Sequence, residues 1–157
     1  SHQLYGRKLI ICPPPLVEYW NETFIEFNQA ATVVSLGKLD SILEKDTTRY
    51  DYVFIDEAHR FRNDNTDNYK KLHEICHGKK VILISATPLN NYPKDIASQL
   101  YLFQKRTNSN LPIKNIEKFF REINNRLKNY EKGTDEYINE IKIVSEEIRE
   151  KILQPIM

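Results

Sequence analysis

Two acids and a histidine, Asp56-Glu57-Ala58-His59, close one apolar run of the chain, and two hydroxyls, Ser85-Ala86-Thr87-Pro88, close another about 29 residues later (85 minus 56). Adjacent acids can divide the labour of phosphoanhydride hydrolysis: one carboxylate holds a hydrated Mg2+ ion and the other stays free to act on the attacking water. On that chemistry Asp56 sits in the Mg2+ shell through water, Glu57 is the base, and His59 reports on the occupied site. The hydroxyls of Ser85 and Thr87 can hydrogen-bond across to the acids and couple them to a second surface. Each tetrapeptide also has a plain structural use. The first closes a buried strand and caps the next helix, and the second turns a strand into a helix. The two together at this spacing favour the chemical reading over either motif alone.

A second constellation, His73-Glu74-Ile75-Cys76-His77, has the H-E-x-x-H spacing that places two histidines on one helix face for zinc, with the glutamate as base. Against a zinc peptidase, Gly78 ends the helix almost at once, lysines flank it, and the next glutamate is Glu117. The alternative is a crossover helix that buries Leu72 and Cys76 and leaves its histidines in solvent or at the sheet margin.

The elements that must position these residues follow from hydrophobic pattern. Tyr52-Val53-Phe54-Ile55 and Val81-Ile82-Leu83-Ile84 lack polar alternation, as expected of parallel strands covered on both faces. Both deliver their polar residues to one sheet edge, beyond the carboxyl ends of the strands, where open α/β sheets bind ligands. Strands are expected at Lys8 to Cys12, Thr32 to Ser35, Tyr52 to Asp56 and Val81 to Ser85. Leu16, Trp20, Phe24 and Phe27 recur at helical spacing between the first two, and Tyr69, Leu72, Ile75 and Cys76 between the last two, giving β-α-β units.

After Pro93, Ile96, Leu100 and Phe103 mark another helix, and strands then stop. Ile116, Phe119, Phe120, Ile123, Leu127 and Tyr130 form one apolar stripe, and Ile138, Ile141, Val144, Ile148 and Ile152 form a second. Between them Gly133 suits a helix C-terminal cap and Thr134 an N-cap, so a helical hairpin is expected. The expected division is a sheet-bearing domain over 1–105 and a helical extension over 106–157.

Bulk composition narrows the function classes. With 157 residues, 40% hydrophobic and 29% charged, the chain has the makings of a globular domain with a real core. Its net charge of +1 gives no global pull toward nucleic acid, so any such binding must come from a local patch. Leu9-Ile10-Ile11-Cys12 is too short for a signal or spanning segment, which leaves a cytoplasmic setting as the expectation and no membrane partner. Cys12 and Cys76 suit reduced, buried thiols.

Taken together these residues resemble a known family. Asp56-Glu57-Ala58-His59 resembles motif II, and Ser85-Ala86-Thr87-Pro88 motif III, of superfamily 2 helicases and translocases. Leu9-Ile10-Ile11-Cys12-Pro13-Pro14 with Trp20 is similar to motif Ia, and the segment from Ser85 to Phe103 is similar to bacterial Swi/Snf-like helicases. The resemblance implies a RecA-like (P-loop NTPase-type) parallel sheet flanked by helices and, in the complete parent protein only, ATP and Mg2+ as cofactors, with double-stranded DNA as that protein's partner. It also implies nucleic-acid contact near Pro13, Pro14, Leu16 and Lys38, and a second RecA-like domain of the same polypeptide.

A motor of that family cradles phosphates in a Gly-rich loop with a lysine. The chain has 4 glycines and none builds one; at Gly37-Lys38, Leu39 stands where a Mg2+-binding hydroxyl should be. The expectation is therefore a partial RecA-like domain that carries half of an ATP site and does not hydrolyse ATP appreciably alone. A non-catalytic DNA- or protein-binding module of the same fold is the alternative. The strand from Val81 is expected to be an open edge, able to pair with another copy.

Overall fold

The structure, a computed structural model, describes residues 5–85 and 93–153. These fall into two compact units that divide between Ala86 and Thr87. In the first unit the strands are β1 (Lys8–Cys12), β2 (Ala31–Ser35), β3 (Tyr52–Asp56) and β4 (Lys80–Ile84). They form one parallel sheet in the order β2-β1-β3-β4. The parallel sheet expected from the uninterrupted apolar runs is present, and β1 and β3 start and stop where the sequence places them. The two central strands carry the core: Leu9, Ile10, Ile11, Cys12, Val53 and Ile55 are fully enclosed. At the flanks β2 and β4 are only half-buried.

The connections are helical. α1 (Val17–Glu26) follows a tight turn at Pro14–Leu16, α2 (Leu39–Leu43) follows one at Leu36–Lys38, and α3 (Asp67–Cys76) lies between β3 and β4. The expected apolar stripe of α1 is real but shallow, since none of its residues is fully buried. α3 behaves as a crossover helix that buries Tyr69, Leu72, Ile75 and Cys76, and Thr66 caps its start by accepting from the Tyr69 amide. α2 escapes the sequence pattern because five residues are too few for a helical period, although it buries Leu39 and Ile42.

In the second unit α4 (Pro93–Leu100), α5 (Ile116–Leu127) and α6 (Asp135–Ile148) share one apolar core built around Ile96, Leu100, Phe119, Phe120, Ile123 and Ile148. The expected division at 105/106 grouped α4 with the sheet, whereas its apolar face packs with α5 and α6. Thr134 caps α6 as expected, accepting from the Tyr137 amide at 3.3 Å. Gly133 does not cap α5, which ends at Leu127; with φ of +90° it serves the turn leading into α6. Arg126 bridges the last two helices, donating to Glu140 at 2.7 Å and to Glu147 at 2.6 Å. Among the described residues no helix is long and apolar enough to cross a membrane.

Candidate active site

β3 runs buried through the sheet and releases Asp56 at its carboxyl end, because the apolar run stops there and the backbone turns sharply. Glu57 makes that turn in the left-handed region, at φ +56° and ψ +42°. A non-glycine residue there carries roughly 1–2 kcal/mol of steric cost. Replacing Glu57 by glycine is thus expected to raise stability by about 0.5–1 kcal/mol net of the entropy glycine adds to the unfolded chain, while removing the carboxylate. The denaturation midpoint checks this; a lower midpoint would show that the turn is not strained.

Asp56 is only 9% exposed, and both of its carboxylate oxygens are held. Oδ1 accepts the Glu57 amide at 2.8 Å, and Oδ2 accepts the indole N–H of Trp20, also at 2.8 Å. Each oxygen has a single hydrogen-bond donor among the described residues, fewer than a carboxylate oxygen can accept. Glu57 is partly exposed, and its Oε2 lies 3.1 Å from His59 Nδ1, an ion-pair distance without the angle of a hydrogen bond. Thus Asp56, Glu57 and His59 come together as expected, the first pinned and the other two at the solvent margin. Cys12 closes the adjacent strand end; burial, and then the Asp56 charge, push its thiol up to about 11. It stays protonated and inert near neutrality.

Ser85 lies just past β4, and its Oγ is buried with no hydrogen-bond partner among the described residues. Thr87 falls outside the described residues, so the expected coupling pair is represented by Ser85 alone. Of the expected nucleic-acid contacts, Pro13 is buried, Leu16 is half-buried, and Pro14 and Lys38 are exposed. Beside His59 an open cleft of about 740 Å³ is lined by Leu36, Arg60, Arg62 and the first turn of α3. Neither arginine makes an ion pair with a described residue.

The H-E-x-x-H segment does not form the zinc geometry. α3 ends at Cys76, and His77 leaves the helix at φ −58° and ψ +124°, so the two histidines do not share a helix face. His73, Glu74 and His77 are exposed, and Leu72 and Cys76 are the buried members, as the crossover alternative has it. The sequence places Trp20 on the apolar stripe of α1 and within the resemblance to motif Ia, and neither puts it beside Asp56. Its bond to Asp56 spans 36 residues and leaves no periodic trace.

A profile of the SNF2-related domain matches residues 30–144. Among curated proteins, the "Putative ATP-dependent RNA helicase L538" of Acanthamoeba polyphaga mimivirus is 38% identical over 68 residues, covering 42% of this chain and 15% of its own length. Human "Chromodomain-helicase-DNA-binding protein 1" is 28% identical over 134 residues, covering 64% of this chain and 8% of its own. The chain therefore spans a small part of the curated relatives it matches. Among solved structures, the "Sulfolobus solfataricus SWI2/SNF2 ATPase core in complex with dsDNA" aligns with a TM-score of 0.51 at 21% identity, over 62% of this chain and 25% of that one. At that identity the likeness speaks for the fold: a parallel α/β sheet flanked by helices, of the RecA-like kind.

Proposed function

We propose, because the chain belongs to the SNF2-related domain family, that Asp56 and Glu57 are the metal-side acid and the base of an ATP-hydrolysing site that drives movement along double-stranded DNA. The observation that supports this reading best is the contrast at the end of β3. Asp56 is pinned at both oxygens, while the neighbouring Glu57 carboxylate remains partly open to solvent.

Mg2+ keeps most of its waters and is bound through one or two carboxylates together with substrate phosphates. A single Asp56 with acceptor capacity left over among the described residues fits that habit, and these residues contain no group of three or more His, Cys, Asp or Glu that could cage a metal. Bound there, the cation would neutralise charge on the phosphates. Asp56 would hold it through water, Glu57 would accept the proton of the attacking water, and His59 would orient the Glu57 carboxylate from 3.1 Å. Ser85, whose buried hydroxyl has no partner among the described residues, and Thr87 would pass the state of the site to the rest of the motor.

The same edge supplies a route for nucleic acid. Lys38, Pro14 and Leu16 lie after the carboxyl ends of β2 and β1, and Arg60 and Arg62 line the cleft after β3. Cations at one edge without an ion-pair partner among the described residues suit a phosphate backbone, whose neutralisation makes binding fall steeply with salt. Duplex DNA is the preferred partner because two of the similar proteins carry DNA in their names; duplex RNA serves as the competitor in a binding assay. At the other end of the described sheet order, the half-buried β4 leaves an edge on which a further strand or a second copy can pair.

These residues include no Gly-rich phosphate loop. Steady-state phosphate release by the 157-residue chain with DNA and Mg2+-ATP is therefore expected to stay at the level of its Glu57→Gln variant. Turnover that the substitution abolishes would show that the phosphates are held by residues of this chain. Absent turnover together with salt-dependent DNA binding is also what the non-catalytic module requires, so nucleotide binding at Asp56 separates the two readings.

A further inference from the structure

We propose that Trp20 is a positioning residue for Asp56, and that its indole N–H ties helix α1 and the proline turn before it to the acid at the end of β3. The proposal rests on the reading of Asp56 as the metal-side acid.

The indole N–H is a donor only, so it favours the charged carboxylate over any arrangement in which Asp56 must itself donate. At 2.8 Å it fixes Oδ2, and the Glu57 amide at the same distance fixes Oδ1. Rotation of the carboxylate therefore breaks one bond or the other. Because Asp56 is 9% exposed, water cannot readily replace either donor, and the bonds act at low local dielectric.

The ring itself is braced. Phe24 lies 5.9 Å away at a 32° tilt, and Tyr19 meets it edge-on at 5.9 Å. Any displacement of Asp56 toward a bound cation must stretch the indole bond or carry α1 along. α1 begins directly after Pro14–Leu16, whose turn closes through the Leu16 amide to the Pro13 carbonyl at 3.0 Å. Trp20 thus gives the acid a mechanical link to the segment proposed to touch nucleic acid. An indole N–H withdrawn from water usually finds a hydrogen-bond partner. Here it spends its one donor on the carboxylate at the sheet's functional edge.

Trp20 is the single tryptophan of the chain, so a 15N-labelled sample gives one indole cross-peak. The expected result is that Asp56→Ala moves this peak upfield and speeds its exchange with solvent about tenfold or more, whereas Glu57→Gln leaves it in place. A peak unmoved by Asp56→Ala overturns the proposal. If Asp56→Ala fails to fold, Trp20→Phe keeps an aromatic ring without the donor. It is expected to shift the Asp56 carboxyl 13C resonance, and an unshifted Asp56 signal equally overturns the proposal. Adding Mg2+-ATP to the unmodified chain is expected to move the indole peak as well. A peak that responds to Asp56→Ala but not to Mg2+-ATP contradicts the nucleotide reading of Asp56 and the link to α1 built on it, while the indole bond stands.

Discussion

Replacing Phe120 by alanine is expected to cost the helical unit about 3–5 kcal/mol, the range for truncating a buried aromatic side chain. Phe120 is 2% exposed in the core shared by α4, α5 and α6 and packs edge-on against Phe119 at 5.3 Å. The unit is small, and small cores hold only a few kcal/mol in reserve, so a loss of this size removes most of its stability. Surface features offer little relief. The links from Arg126 to Glu140 and Glu147 join α5 to α6 only at their partly exposed margin, where ion pairs contribute weakly. Hydrogen exchange at the amides of α5 and α6 reads the outcome directly. Protection in those helices is expected to collapse in Phe120→Ala and to fall only modestly in Phe120→Leu, which keeps most of the volume. Undiminished protection in the alanine variant would show that the core does not depend on this ring.

The second large effect is expected at Gly6→Ala, with a cost of about 2–4 kcal/mol from backbone strain and overpacking together. Gly6 has φ of +137°, and a Cβ there would sit 2.8 Å from Asp51 Oδ2 and 3.0 Å from the Tyr52 ring. Asp51 cannot step aside cheaply. Its carboxylate accepts the Arg7 amide at 2.8 Å, its own amide donates to the Arg7 carbonyl at 2.9 Å, and its carbonyl accepts from Lys80 at 3.0 Å. This small lattice sets the register at which β1, β3 and β4 begin, and through it the position of Asp56 at the far end. A double-mutant cycle isolates the share of the Asp51 carboxylate. In an Asp51→Ala background that clash vanishes, so the cost of Gly6→Ala is expected to fall, leaving the φ penalty together with the 3.0 Å contacts to the Cβ of residue 51 and to the Tyr52 ring. An equal cost in both backgrounds would show that the Asp51 carboxylate adds nothing to it.

Legibility in the sequence followed burial. β1 and β3 are enclosed on both faces, so their apolar runs end where the sheet ends, and their bounds are readable to the residue. At the half-buried flanks the pattern blurs: β2 begins at Ala31 rather than Thr32, and β4 runs from Lys80 to Ile84 rather than from Val81 to Ser85. Ile96 and Leu100 show that α4 has an apolar face without saying which core receives it, which is why sequence alone groups it with the sheet.

The same asymmetry holds at the site. Asp56, Glu57 and His59 are neighbours in sequence, and a single strand end brings them together. The Trp20 contact was not legible, because it depends on α1 laying one particular ring beside a strand 36 residues away. Nor does residue type announce the left-handed backbone of Glu57, since glutamate has no preference for it. The H-E-x-x-H match fails for a physical reason: Gly78 at φ +71° follows a helix that has already ended, and His77 is lost from the face that zinc would need.

Mn2+ is a paramagnetic stand-in for Mg2+, and its titration with ATP against the amide and indole signals of the 157-residue chain tests the central claim most directly. Selective broadening is expected at Asp56, Glu57 and Ala58 and at the Trp20 indole, 2.8 Å from the Asp56 carboxylate, and it is expected to disappear in Asp56→Ala. Broadening that survives Asp56→Ala, or that centres on an exposed carboxylate such as Asp67, would contradict the assignment of the end of β3 as the metal and nucleotide edge of this chain.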